Sequence, residues 1–231
     1  MQILLRNLLF INYAVAPERV RHLVPSEFDL ETRQDKQGNA RAFVSAVPFE
    51  VAEIRSSSFS MPGLRFNQIN YRAYLISPEG AAVYFLGLRV GSRMVAASAS
   101  FLNLPVSHED IGLSIGDGTA NQHYGVEAEG LSAHVSLEAP GTNFEAAASD
   151  PAVTSEFISE RPLGFIRSTG GDTYKIAVEH PRLDAMIARV ERVRAPMLES
   201  LGILDPGELP HSVLYVKEAV FDAGTPTKWP G

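Results

Sequence analysis

The chain of 231 residues has no cysteine. That removes disulfide frameworks, thiol nucleophiles, thiolate metal ligands and thiol redox switching together, and it argues against a small secreted domain. Lysine is nearly absent as well: Lys36, Lys175, Lys217 and Lys228 are the only four, against sixteen arginines. Chemistry that needs an amine nucleophile therefore has few places to occur. Positive charge is short overall, with 20 basic residues facing 27 acidic ones for a net charge of −7. Such a chain lacks the clustered cations of a general nucleic-acid binder. No run approaches the ~20 apolar residues needed to span a bilayer as a helix. The N-terminal segment MQILLRNLLFINYAVAPERV superficially resembles a signal peptide, but Arg6 lies among its apolar residues, Asn12 interrupts them, and Pro17 would follow the cleavage site. It is expected to be a buried first strand in a cytoplasmic protein that makes no membrane contact.

What is present is an ordinary globule, 45% hydrophobic and 20% charged, able to bury a sizeable core. Without internal repeats, low-complexity tracts or linker-like shifts in composition, one domain over 1–231 is the simplest organisation. Apolar and polar residues alternate in 41–54 and 66–76, where Gln68, Asn70, Arg72 and Tyr74 fall on one face and Ile69, Tyr71, Ala73 and Leu75 on the other. Ser77-Pro78-Glu79-Gly80 is turn chemistry, and 81–90 should return as the second arm of an antiparallel hairpin. Further strands are expected at about 107–116, 122–129, 131–138, 162–168, 172–179 and 212–221, with turns at Met61-Pro62-Gly63, Asp117-Gly118 and Gly170-Gly171. The fold class is mainly β (α+β), an antiparallel sandwich or barrel with a few short peripheral helices. The helices are placed at 17–23, from Asp150 to about 160, and at 196–201. In 182–195, apolar residues at helical spacing compete with a helix-breaking Pro196, leaving helix and strand both open.

Familiar catalytic signatures are missing. The six histidines show no metal-ligand spacing, so no metal is expected, and 112–118 contains neither a dinucleotide fingerprint nor a phosphate loop, so no cofactor is expected either. No serine sits in a nucleophile elbow. Arg72 and Arg89 are more informative, because an arginine inside a strand either clamps an anion in a cavity or lies on the solvent face of the sheet. Glu160-Arg161, after the expected helix, carries the same ambiguity, with a local ion pair at a helix end as the alternative.

The order of segments resembles the acetoacetate decarboxylase-like superfamily, specifically its YqjF-like branch. The resemblance rests on LLFINYAVAPERVRHLVPSEFDLE at 8–31, AFVSAVPFEV at 42–51, PGLRFNQINYRAYL at 62–75, VYFLGLRVGSRMVAASASFLNLPV at 83–106 and FISERPLGFIRSTGGDTYKIAVEHP at 157–181. It implies an antiparallel β-barrel or double-cone-like fold around an internal cavity. In the decarboxylases of this superfamily, a lysine in that cavity forms a Schiff base with a β-keto acid. The family's lysine follows a proline, whereas here Pro105 is followed by Val106, which cannot form an imine. The family's acidic position in the strand resembling FNQIN falls on Gln68. Lys175 could substitute only if its strand faced the cavity; otherwise it is a surface residue. The resemblance leaves Arg6, Arg72, Arg89 and Arg93 as anion contacts, with Gln68, Asn70, Tyr74 and Glu160 as hydrogen-bonding groups.

Three functions follow. The first is binding of a small organic acid or keto compound in the barrel without Schiff-base decarboxylation. The second is a lysine-independent hydratase, cyclase or isomerase with Glu160 or a histidine as general acid or base. The third is a non-catalytic interaction protein, with a homo-oligomer as the possible assembly.

Overall fold

The computed structural model describes residues 1–55, 64–101, 103–116, 122–137 and 155–230. The chain runs β1 (Gln2–Val15), α1 (Glu18–Arg21), β2 (Asp29–Leu30), β3 (Thr32–Gln34), β4 (Ala40–Arg55), β5 (Phe66–Ser77), β6 (Gly80–Val90) and α2 (Arg93–Phe101). Then come β7 (Val106–His108), β8 (Gly112–Gly116), β9 (His123–Glu127), β10 (Ser132–Leu137) and α3 (Ser155–Ser159). The last third holds β11 (Leu163–Arg167), β12 (Thr173–Glu179), β13 (Ala185–Arg194), α4 (Pro196–Ser200), β14 (Ser212–Ala223) and β15 (Thr227–Lys228).

The protein is mostly β, with a few short helices, and its strands form one 15-stranded sheet among the described residues. Along the main path, β12, β11, β6, β5, β4, β1 and β14 are successive neighbours. β12 then pairs back onto β14 through Val178 with Ala223 and Glu179 with Asp222. That short ladder joins the two ends of the path, so these strands form a closed ring, which removes edges that would otherwise be left unpaired. Pairing is antiparallel except where β6 runs parallel to β11 and to β7. Beyond β14 the sheet continues through β13, β10, β9 and β8.

Strands β1 and β4 are mainly apolar on both faces, and β5 is apolar on the face turned away from the ring. On one face, Leu9, Ile11, Val44, Ile69 and Tyr71 pack with Tyr124 and Val126 of β9 and with Ala133 and Val135 of β10. On the other, Leu8, Phe10, Val47, Phe49 and Tyr74 point into the ring. Two irregularities set which residues face inward. Between Arg6 and Ile11 of β1, four residues oppose only three of β4, and Asn7 takes φ 56°. This bulge lies opposite Pro48, which has no N–H to give to a ladder, and Tyr215 anchors it by donating to Asn7 Oδ1 at 2.9 Å. A second bulge places Leu86 of β6 opposite no residue of β5.

The hairpin of β5 and β6 and the helix beginning at Pro196 form as the sequence predicts. The 107–116 run instead splits into β7 and β8: β7 stays beside β6, while β8 joins β9. Residues 182–195 resolve as strand, since β13 ladders with both β10 and β14 and its helical spacing is overridden by those partners. Helix α2 is not among the helices the sequence predicts, although Ser92 just before it accepts from the Val95 amide in the manner of a cap. The turns at Met61-Pro62-Gly63 and Asp117-Gly118, the end of the 131–138 run and the helix start at Asp150 lie outside the described residues. No described helix is long and apolar enough to cross a membrane.

Candidate functional site

The ring encloses a cavity of about 260 Å³. Because side chains alternate along a strand, each wall contributes every second residue. β1 contributes Ile3 and Leu5 and then, past the bulge, Leu8 and Phe10. β6 contributes Val83, Phe85 and, past its own bulge, Leu88. Gly164 of β11 leaves room for Phe85, whose ring edge would stand 2.7 Å from any Cβ placed there. Val47, Phe49 and Val51 come from β4, Ile176 and Val178 from β12, and Phe221 and Ala223 from β14. The β5 wall differs, presenting Gln68, Asn70 and Arg72. Ser159, Arg161 and His180 complete the polar lining.

At the polar end, Arg72 Nη2 donates to the Tyr74 hydroxyl at 3.0 Å and to the Ile158 carbonyl at 2.9 Å. The fully buried Tyr74 hydroxyl also lies 2.8 Å from Ser45 Oγ, which donates to Asn12 Oδ1 at 2.6 Å. The Asn12 amide in turn donates to the Phe10 and Ser212 carbonyls. This buried chain ties β5, β4, β1 and β14 together and fixes the aromatic ring beneath the guanidinium. The Arg72 guanidinium carbon sits 5.3 Å from the Tyr74 ring centre and 5.2 Å from that of Phe10. Its Nε is buried without a hydrogen-bond partner. Among the described residues, no carboxylate lies within ion-pair distance of Arg72.

Arg161 is the contrasting case. It lies 4.9 Å from the same Tyr74 ring, but Nη1 pairs with Glu31 and the Nε and Nη2 groups donate to the Phe157 carbonyl. Burial pulls its pKa below the usual arginine value, while Glu31 pulls the other way. Two arginines thus flank one tyrosine, one neutralised by its partner and one not. Gln68 Nε2 donates to Asn70 Oδ1 at 2.6 Å, so part of the hydrogen-bonding capacity of the pair is spent internally. The His180 ring packs tilted against Phe221 with centres 4.7 Å apart, and its Nδ1 lies 2.8 Å from the Pro181 carbonyl. A carbonyl only accepts, so Nδ1 carries the proton and Nε2 keeps its lone pair in the neutral ring.

The structure therefore brings Gln68, Asn70, Arg72 and Tyr74 together on one wall and leaves the other expected residues elsewhere. Arg6 precedes the β1 bulge and pairs with Glu218 at 2.7 Å on the outer surface. Arg89 follows the β6 bulge and so faces the opposite core, with Nε 3.5 Å from Glu109 and Nη2 3.4 Å from Met197 Sδ. Arg93 is exposed on α2, and Glu160 is exposed beyond α3. None of these four lines the cavity. The partner of Arg161 is Glu31, 130 residues earlier, rather than its neighbour Glu160. His180 carried no sequence signal that set it apart from the other histidines. Each of the four lysines lies off the lining: Lys175 points outward from β12 to Glu79 at 2.7 Å, Lys228 pairs with Asp172, and Lys36 and Lys217 are exposed. No group of three or more described His, Asp or Glu residues could hold a metal ion.

A family model described as an uncharacterized conserved protein, DUF2071, matches residues 3–219. The chain belongs to the DUF2071 family. No curated protein matches this DUF2071 chain. Solved structures show its fold to be that of the acetoacetate decarboxylase-like proteins. An acetoacetate decarboxylase-like enzyme from Sphingomonas wittichii RW1 is similar at 13% identity and a TM-score of 0.63, over 99% of this chain and 92% of that one. The enduracididine biosynthesis enzyme MppR, in complex with pyruvate, is similar at 12% identity and a TM-score of 0.63, over 98% and 89% of the two chains. Acetoacetate decarboxylase from Legionella pneumophila is similar at 8% identity and a TM-score of 0.62, over 99% and 86%.

Proposed function

We propose that this protein binds a small organic acid or keto compound inside its barrel, holding the anion with Arg72, and does not decarboxylate through a Schiff base. The supporting observation is the pairing of two cations around Tyr74: Arg161 has its counter-ion in Glu31, while Arg72 reaches the cavity with an unpartnered Nε. A half-buried guanidinium whose Nε is shielded and which has no carboxylate partner is costly unless a ligand supplies the charge. That MppR is seen with pyruvate is consistent with a keto acid as ligand. Calorimetric titration with pyruvate and acetoacetate should show binding in the wild-type protein and a loss in Arg72→Met. Borohydride reduction in the presence of acetoacetate should leave the protein mass unchanged; an adduct at Lys175 would overturn the absence of imine chemistry.

A second function is favoured by His180 alone. With its proton held on Nδ1 and a lone pair on Nε2, it could act as a general base for a lysine-independent isomerase, hydratase or cyclase. The exposed Glu160 is poorly placed for that role. Exchange of the ligand's α-protons with deuterated solvent, followed by NMR and abolished in His180→Gln, is the expected sign; equal exchange in the variant removes His180 from the chemistry.

A further inference from the structure

Resting on the anion-binding function proposed above, we infer that the favoured ligand is a monocarboxylate with an aliphatic or aromatic body, bound more tightly than a compact polar keto acid such as pyruvate or than a diacid. Arg72 is the one arginine or lysine of the described lining without a carboxylate partner. The charge of Arg161 is balanced by Glu31 and three of its five N–H groups go to Glu31 and the Phe157 carbonyl, while the Tyr74 hydroxyl is engaged by Ser45, Arg72 and Ile158. A second carboxylate would find no second arginine or lysine without a carboxylate partner, and leaving water for an apolar wall without one is unfavourable. Beyond Arg72 and the Phe10 ring beside it, the walls contributed by β1, β4, β6 and β14 are hydrocarbon: Leu5 and Leu8, Val47 and Phe49, Phe85, and Phe221. A pyruvate-sized molecule anchored at Arg72 would leave those walls against water or empty space. At roughly 30 Å³ per water-sized unit of liquid, the volume of about 260 Å³ suits an acid with on the order of nine non-hydrogen atoms. The amide pair Gln68–Asn70 on the same wall as Arg72 retains Gln68 Oε1 as an acceptor and the Asn70 Nδ2 group and the second Gln68 Nε2 N–H as donors. A single keto or hydroxyl group next to the carboxylate is thus compatible, while a polar tail would meet apolar walls except at His180 beside Phe221.

The test is calorimetric titration of the whole chain with acetate, butanoate, hexanoate, octanoate and phenylacetate, beside pyruvate, succinate and glutarate. Affinity should rise about three- to fourfold for each added methylene until the cavity is filled, near hexanoate or octanoate, and glutarate should bind more weakly than hexanoate. In Phe85→Ala, checked for folding by circular dichroism, the best chain length should move to longer acids. A flat series in which acetate and pyruvate bind as well as octanoate overturns the apolar body while leaving the Arg72 anion site standing. Tighter binding of the diacids does the same. If no carboxylate binds the folded wild-type protein, the anion-binding function fails and the inference fails with it.

Discussion

Arg72 and Tyr74 stand two residues apart on one face of β5, with the guanidinium donating to the phenol oxygen at 3.0 Å and its carbon 5.3 Å from the ring centre. The tyrosine is fully buried and bonded on several sides, so it acts as a fixed shelf. The arginine rests on that shelf with donor capacity to spare.

Arg72→Met should weaken carboxylate binding by ~10- to 100-fold, the range for a hydrogen bond to a charged group, as read by calorimetry. Because Arg72 has no carboxylate partner among the described residues, thermal unfolding should show a melting temperature unchanged or raised, the mark of a residue kept for binding at some cost in stability. Arg72→Lys should restore part of the affinity, since it keeps the charge but not the fork.

Tyr74→Phe deletes the oxygen shared by Ser45, Arg72 and the Ile158 carbonyl. Leaving those buried groups short of a partner should destabilise the fold by about 1–3 kcal/mol, measured from the midpoint of urea unfolding at constant slope. Binding should also weaken, because Arg72 loses its support.

Glu31→Gln strands Arg161, whose side chain is only 4% exposed, without its counter-ion. Removing one partner of a buried pair typically costs about 3–5 kcal/mol. Glu31→Gln combined with Arg161→Met should recover much of that loss in the same unfolding measurement, since no buried uncompensated charge remains; Arg33, the other partner of Glu31, is half-exposed and can be solvated by water.

Asp35 closes the connection between β3 and β4 by accepting from the Asn39 and Gln37 amides at 2.9 Å and from Arg41 Nε at 2.8 Å. These bonds, the Asn39 amide foremost, hold its carboxyl below the usual aspartate pKa. A carboxyl with a lowered folded-state pKa stabilises the fold fully above its unfolded value near 3.9 and ceases to do so as pH falls through the folded value. The gap in melting temperature between the wild-type protein and Asp35→Asn should therefore be widest above pH ~4 and shrink on further acidification.

Much of the fold was legible in the chain. The alternation in 66–76 and the turn at 77–80 specify the β5–β6 hairpin, and that same alternation already groups Gln68, Asn70, Arg72 and Tyr74 on one face. Arg6 and Arg89 were not separable from Arg72 in this way. Each follows or precedes a bulge that reverses the inward face, and a bulge is specified by the partner strand as much as by its own residues. Strand β13 was obscured because helical spacing and strand pairing compete, and the ladders to β10 and β14 decide the outcome.

By itself, the sequence determined a cysteine-free, lysine-poor, mainly β chain and the residue content of the polar wall, because these depend on composition and on a two-residue period. Tertiary structure alone decided that this wall faces inward, that the two ends of the strand path meet through Val178 and Ala223, and that Glu31 neutralises Arg161 but not Arg72. Those outcomes depend on contacts between residues far apart in the chain, where ring closure and burial set the energy and local patterning carries no information.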